Sequence, residues 1–152
     1  MQRVGLISDT HGLLRSEAMD ALRGSDHIIH AGDICNADIL KALTKIAPVT
    51  AVRGNNDIGD WAKALPEEQR LQFENVLVYV LHDIKELDLS PEAEGISVVI
   101  AGHSHKPCIE KRDNVFYINP GSAGPRRFKL PIAVAELVID GATFTSQIIH
   151  LE

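Results

Sequence analysis

Apolar and polar positions follow two different rhythms along the chain. In the first half, the short apolar runs Val4-Gly5-Leu6-Ile7, His27-Ile28-Ile29-His30 and Val49 to Val52 read as strands, and helical spacing fills the segments between them. A helix is predicted from Ser16 to Arg23: Ser16 caps it, Ala18, Ala21 and Leu22 share a face, and Gly24 closes it in a left-handed conformation. A second is predicted from its cap Asn36 along the stripe Ile39, Leu40, Leu43 and Ala47 to Pro48. Strand, helix, strand with right-handed crossovers implies a parallel sheet. The second half is richer in strands: Leu71 to Phe73, Val76 to Leu81, Val98 to Ala101, Val115 to Ile118, Ile132 to Ile139 and Thr143 to Ile149. Glu74-Asn75, Asp113-Asn114 and Asp140-Gly141 are hairpin signals, and Ser90-Pro91 through Gly95 fits one helical turn. The sum is an α/β chain, a sandwich of two mixed β-sheets flanked by helices.

Composition narrows the function classes. The 152 residues show no repeat, linker or low-complexity tract, so residues 1–152 read as a single domain. With 45% hydrophobic and 24% charged residues, disorder, collagen and a coiled coil are excluded. No stretch approaches the roughly 20 apolar residues of a membrane helix, so no membrane role is expected and a cytoplasmic address is. Lys and Arg number 15 against 21 Asp and Glu, a net charge of −6, which argues against bulk nucleic-acid binding. A phosphate-bearing ligand must therefore meet local positive charge. Cys35 and Cys108 are too few and too far apart for a disulfide framework or a thiolate zinc knuckle, and are expected to be reduced and structural.

Candidate chemistry sits in the loops. Four of the seven histidines, His11, His82, His103 and His105, directly follow apolar strands, beside Asp9, Asp33 and Asn55. Asp9-Thr10-His11 and His103-Ser104-His105 place two potential ligands at i and i+2, which an extended segment turns to one side. Imidazole with carboxylate suits Zn²⁺, Mn²⁺, Fe²⁺ or Ni²⁺ better than Ca²⁺ or Mg²⁺. Each piece alone has a plainer reading. Asp33 can cap the following helix, Gly54-Asn55-Asn56-Asp57 can be a turn, and His82 can be a core histidine. His30 reads as buried behind the site, His27 and His150 as surface, and Trp61 as packing. Arg126 and Arg127 are candidates for a phosphate contact. No Gly-x-Ser-x-Gly, Walker loop or reactive-cysteine signature provides a covalent nucleophile.

Taken in order, Asp9-x-His11, Gly32-Asp33, Gly54-Asn55, His82 and Gly102-His103-x-His105 resemble the calcineurin-like metallophosphoesterase superfamily. The compact length, with His30-Ala31-Gly32-Asp33 and Asn119-Pro120-Gly121-Ser122, is similar to its small, single-domain YfcE-type phosphodiesterase branch. The resemblance implies an αββα sandwich and two divalent metal ions, manganese first, with nickel, iron or zinc as alternatives. It implies that Asp9, His11 and His105 hold one ion, that Asn55, His82 and His103 hold the other, and that Asp33 bridges them. Catalysis would depend most on Asp33, Asn55 and His103, with Asn56, Arg126 and Arg127 as weaker substrate contacts. The activity implied is hydrolysis of a small phosphodiester or nucleotide-like substrate by a hydroxide activated between the metals. Homo-oligomerisation stays open. The alternatives are a phosphomonoesterase or nuclease, and a non-catalytic scaffold like the retromer subunit that shares this fold.

The chain departs from the family pattern at three places. Asn56 stands where many members have a histidine that protonates the leaving group, and an amide cannot act as a general acid. Aryl phosphodiesters are therefore expected to turn over faster than alkyl ones, and loss of Asn56 to matter much less than Asn55→Ala or His103→Ala. Asp83 replaces the usual glycine after His82 and can either orient an imidazole or repel substrate. The interval from His82 to His103 is short, which predicts a trimmed helix and a more open cleft.

Overall fold

The computed structural model describes residues 1–151. Its first half alternates β1 (Gln2–Ile7), α1 (Ser16–Leu22), β2 (His27–His30), α2 (Ala37–Thr44), β3 (Val49–Ala51) and a short α3 (Asp60–Lys63). The second half runs β4 (Glu68–Phe73), β5 (Val76–Leu81), a 3-10 turn (Ile84–Glu86), β6 (Val98–Ile100), β7 (Cys108–Arg112), β8 (Val115–Asn119), β9 (Ala133–Asp140) and β10 (Thr143–His150). Two five-stranded sheets result, in the orders β10-β9-β1-β2-β3 and β4-β5-β6-β8-β7. In the first, β1, β2 and β3 are parallel, while β9 and β10 close the other side antiparallel. In the second, the parallel trio β5-β6-β8 is edged by antiparallel β4 and β7.

The apolar runs are continuous because their strands are buried on both faces. Val4, Leu6, Ile29, Val78, Val80, Ile100 and Leu137 fill the layer between the sheets. Their alternates Ile7 and Ile28 pack outward against Ala18 and Leu22 of α1 and Ile39 and Leu43 of α2. Gly24 closes α1 at φ +84°, and the Asn36 side chain caps α2 by accepting the Asp38 N–H. Ser16 does not cap α1. It lies inside the helix, its hydroxyl donating to Glu17, and Arg15 takes the cap position with no side-chain bond.

Helices flank the first sheet only. The outer face of the second, with Tyr79, Leu81, Val99 and Ala101, is covered by Leu87, Leu89 and Ile96 from the segment around the 3-10 turn, in line with the short His82–His103 interval. The predicted turn at Ser90–Gly95 forms through bonds such as Gly95 N–H to Glu92 and Ile96 N–H to Pro91. Cys35 and Cys108 are both free, but Cys108 is exposed at the start of β7, so a structural role fits only the half-buried Cys35. Among the described residues no helix is long and apolar enough to cross a membrane.

Two histidines off the site are informative. His27 is not a surface residue: it is half-buried, its Nε2 is 2.8 Å from Thr50 Oγ1, and its ring meets Phe73 edge-on. His30 is fully buried, its Nδ1 accepting the Gly32 N–H and its Nε2 therefore donating to Thr10. Burial holds its pKa down to about 3 against an ordinary 6.5. Folding thus requires neutral His30, whereas the unfolded chain takes up the proton below 6.5, so stability falls as pH drops from 6.5 toward 3. Wild-type stability from urea denaturation is expected to fall faster with acid than that of His30→Gln, by up to about 1.4 kcal/mol per pH unit. Parallel slopes would contradict the assignment.

Candidate metal centre

Because β1, β2 and β3 are parallel in one sheet and β5 and β6 in the other, their carboxyl ends open on loops that can share one edge of the sandwich. Asp9 and His11 follow β1, Asp33 follows β2, Asn55 follows β3, His82 follows β5, and His103 and His105 follow β6. Six of these converge into two sets, Asp9, His11 and His105, and Asp33, His82 and His103. Within each set the donor atoms all lie within 4.8 Å of one another.

The spacing suits cations. Two donors about 2.0–2.1 Å from one ion, at tetrahedral to octahedral angles, sit roughly 3.0–3.4 Å apart. His11 Nε2 is 3.2 Å from His105 Nε2, and His105 Nε2 is 3.5 Å from Asp9 Oδ1. His82 Nε2 is 3.2 Å from Asp33 Oδ2, which also lies 3.7 Å from His11 Nε2 and so faces both sets. Hydrogen bonding leaves the donors free for an ion. His82 Nδ1 is 2.8 Å from the Ala31 carbonyl, which can only accept, so Nδ1 carries a proton and Nε2, facing the carboxylates, is the nitrogen left for a cation. Asp9 Oδ2 accepts from the Ser8 hydroxyl and the His103 N–H, whereas its Oδ1 is buried with no hydrogen-bond partner, as are His82 Nε2 and His105 Nδ1. A buried unpaired donor or acceptor costs about 1–3 kcal/mol, and more when charged. A divalent ion against Asp9 Oδ1 and His82 Nε2 removes that penalty, so this donor set fits the metal the residues imply.

The backbone is strained to make the arrangement. Asp9, His11, Asp33, His103 and His105, five of the six donors, have φ between +46° and +71°, a region that side chains other than glycine enter only at a penalty. Close approach demands glycine beside them. A Cβ on Gly54 would stand 2.2 Å from Asp33 Oδ1, and one on Gly102 would stand 1.9 Å from Ser8 Oγ. Asp57, which the turn composition did not single out, binds the loops together: Oδ2 accepts from the N–H of Asp33 and Gly54, and Oδ1 from that of Cys35. Ser122 and Asn119 do the same for the β1 and β6 loops, the first donating to the Asp9 carbonyl and the second to the Gly102 carbonyl.

Protonation follows the environment. Burial pushes the Asp9 carboxyl up, partly offset by His82 and the Ser8 hydroxyl. Burial also works against Asp33, yet His82 and the Asn56 N–H groups outweigh it and hold the carboxyl well below the usual range. His82 is drawn up by Asp33 and Asp9 despite its burial. His105 is pushed down to about 4, first by burial and then by the Arg127 charge.

The remaining sequence-read residues divide. Asn55 is exposed and lines the cleft beside His82 and His103, making no hydrogen bond among the described residues. Asn56 grips Asp33 instead, its backbone N–H at 2.9 Å from Oδ1 and its side-chain amide at 3.0 Å from Oδ2. That corrects its reading as a substrate contact of little consequence, because its amide is already committed to the carboxylate between the two sets. Asn56→Ala removes one hydrogen bond to a charged group and is expected to lower kcat/KM about tenfold, with Asn56→Asp lower still through repulsion. Arg126 is exposed and donates to the Leu130 carbonyl of its own loop, while Arg127 is exposed on the His105 side. Asp83 Oδ2 lies 3.7 Å from His103 Nε2, too long for a hydrogen bond but near enough to act as a charge.

Comparison with known proteins agrees with this geometry. The calcineurin-like phosphoesterase superfamily domain matches residues 2–141. A probable metallophosphoesterase of Methanothermobacter thermautotrophicus is 33% identical over 159 residues, covering 97% of this chain and 91% of that one. The phosphodiesterase YfcE of Escherichia coli is 27% identical over 152 residues, covering 80% and 79%. In structure, Vps29 from Entamoeba histolytica complexed with Zn²⁺ superposes with a TM-score of 0.76 at 19% identity, over 99% of both chains, a likeness of fold.

Proposed function

The chain belongs to the calcineurin-like phosphoesterase superfamily and is, with its relatives, a phosphoric ester hydrolase; from that premise we propose that it hydrolyses small phosphodiesters at a two-metal centre. The observation that carries this reading is the pair of adjacent donor sets, in which Asp33 Oδ2 of one lies 3.7 Å from His11 Nε2 of the other and Asp9 Oδ1 and His82 Nε2 are buried and unpartnered. Asp9, His11 and His105 would hold one ion and His82 and His103 the other, with Asp33 facing both and Asn55 as a further donor from the cleft wall. Bound there, divalent ions supply Lewis acidity for the phosphoryl oxygens and lower the pKa of water from about 15.7 toward 7. Manganese fits the mixed imidazole and carboxylate set, as do nickel, iron and zinc.

The chain's own groups set the stage for the reaction. The Ala31 carbonyl and the Ser8 hydroxyl fix the His82 tautomer and the Asp9 carboxylate, and Asn56 and Asp57 fix Asp33 and its loop. This is the rigid preorganisation that in-line displacement at phosphorus requires. Histidine donors bring no negative charge of their own, and Arg127 adds positive charge on the His105 side. Asn56 offers no proton to the leaving group, so aryl diesters should outpace alkyl ones.

The test is chelation followed by readdition of Mn²⁺ or Ni²⁺, with a chromogenic diester and its monoester as substrates. Metal-restored diester turnover supports the reading, and faster monoester turnover would move it to a phosphomonoesterase. Metal binding without turnover of either ester would favour the scaffold role that the likeness to Vps29 suggests.

A further inference from the structure

We propose that Cys35 is a positioning residue of the metal centre: its thiol fixes the ring of His11 and ties that ring to the loop that grips Asp33. The proposal rests on the two-metal reading above and adds to it a residue outside both donor sets.

His11 turns Nε2 toward the other donors, 3.2 Å from His105 Nε2 and 3.7 Å from Asp33 Oδ2. An imidazole that gives its Nε2 lone pair to a cation carries its hydrogen on Nδ1, and the acceptor of that hydrogen sets the plane of the ring. For His82 the acceptor is the Ala31 carbonyl. For His11 the partner of Nδ1 is Cys35 Sγ at 3.8 Å, a separation too long for nitrogen and oxygen but within reach of the larger sulfur atom.

The sulfur is held from its other side as well. Sγ lies 3.7 Å from the Asn56 carbonyl oxygen, which can only accept, so the S–H points there and a sulfur lone pair stays open to His11. Asn56 in turn grips Asp33, its backbone N–H 2.9 Å from Oδ1 and its side-chain amide 3.0 Å from Oδ2. One thiol on the β2 loop therefore joins a donor on the β1 loop to the β3-loop residue that holds the carboxylate between the two sets. The backbone aims it: the Cys35 N–H donates to Asp57 Oδ1 at 2.8 Å, and φ is +68°, a conformation that costs a side chain other than glycine. Loss of such a partner behind a metal-bound histidine typically costs 10–100-fold in metal affinity or activity. Sulfur is a weak acceptor, which places Cys35 at the low end of that range.

The experiment is Zn²⁺ binding by chelator competition, followed on the same samples by long-range ¹H–¹⁵N spectra of the ¹⁵N-labelled histidine rings. Wild type is expected to bind two ions and to show the His11 hydrogen on Nδ1. In Cys35→Ala the affinity for one ion is expected to fall about tenfold and that for the other to stay within about twofold. The His11 ring signals should move, while His82 Nδ1, held by Ala31, keeps its shift and reports that the fold is intact. Cys35→Ser retains a donor and an acceptor on a shorter bond and is expected to recover part of the loss, to within about threefold of wild type. All three residues carry a Cβ, so the left-handed backbone weighs equally on each.

Unchanged affinities with unmoved His11 signals in Cys35→Ala overturn the proposal. So does a serine variant no better than alanine, which would assign Cys35 to packing, and so does a His11 hydrogen on Nε2 in the loaded wild type. A wild type that binds no ion overturns the two-metal reading itself, whereas two tightly bound ions indifferent to Cys35 leave that reading standing and remove this one alone.

Discussion

Asp33→Asn is expected to lower kcat/KM by about 10³ or more and to reduce metal stoichiometry from two ions per chain to one or none, with the far-ultraviolet spectrum unchanged. Asparagine keeps the shape of the side chain and tolerates the φ of +56° found at this position, so backbone strain does not confound the result. What it removes is the charge. Asp33 Oδ2 lies 3.7 Å from His11 Nε2 and 3.2 Å from His82 Nε2, between the two donor sets. Without it, Asp9 is the one carboxylate left in the two sets to offset two dications. Two such ions about 3.5–4 Å apart repel strongly, and a shared carboxylate is the group that relieves this. A loss of 10³ corresponds to about 4 kcal/mol of transition-state stabilisation, within reach of a single electrostatic group in a buried site. Unchanged stoichiometry with unchanged turnover would show that the two sets do not share Asp33.

Gly54→Ala is expected to reduce kcat/KM by about 100-fold or more and to destabilise the fold by about 1–3 kcal/mol. The added methyl would stand 2.2 Å from Asp33 Oδ1 and 2.3 Å from Asp33 N. Rotating a side chain cannot relieve the second contact, because that nitrogen belongs to the backbone and is held by Asp57 Oδ2 at 2.9 Å. The β2 and β3 loops must therefore move apart, carrying Asp33 with them. Gly141→Ala is the control. Nothing lies within 4 Å of its Cβ position in the β9–β10 turn, so only the strain of its +64° φ applies and activity should survive. Thermal denaturation and steady-state kinetics on both variants separate steric displacement of the site from general strain. Equal activity losses in the two would contradict this account.

The donors were legible in the sequence because each follows an apolar run, and parallel strands must deliver such loops to a common edge. Asp9, His11, Asp33, Asn55, His82, His103 and His105 stood out by their place after those runs, but their division between two ions came only from the family resemblance. What could not be read is how the loops are held. The left-handed backbone at five of these donors leaves no trace in composition, since none is a glycine. Asp57 looks like an ordinary turn residue until its carboxylate is seen to gather three N–H groups from two loops. Asn56 was placed by analogy with a histidine that faces the leaving group, but its short amide reaches back to Asp33 instead.

The fold shows the same division. The long apolar strands were recovered nearly to the residue, and Val76–Leu81 with no difference at all. β7 was missed because Cys108–Arg112 is an edge strand with most side chains in solvent, leaving Ile109 as its only aliphatic position. Its one usable signal was the Asp113-Asn114 turn, which requires a partner on both sides. α3 has four residues, too few for a helical period to register. Ser16 failed as a cap because the helix begins one residue earlier than its hydroxyl suggests, within the usual uncertainty of helix ends.

Crystals grown or soaked with Mn²⁺ and measured for anomalous scattering test the central claim most directly. The account requires two peaks about 3.5–4 Å apart, one contacted by Asp9, His11 and His105, the other by His82 and His103, with Asp33 touching both. No peak at these side chains, or a single ion that leaves Asp33 unliganded, would contradict it.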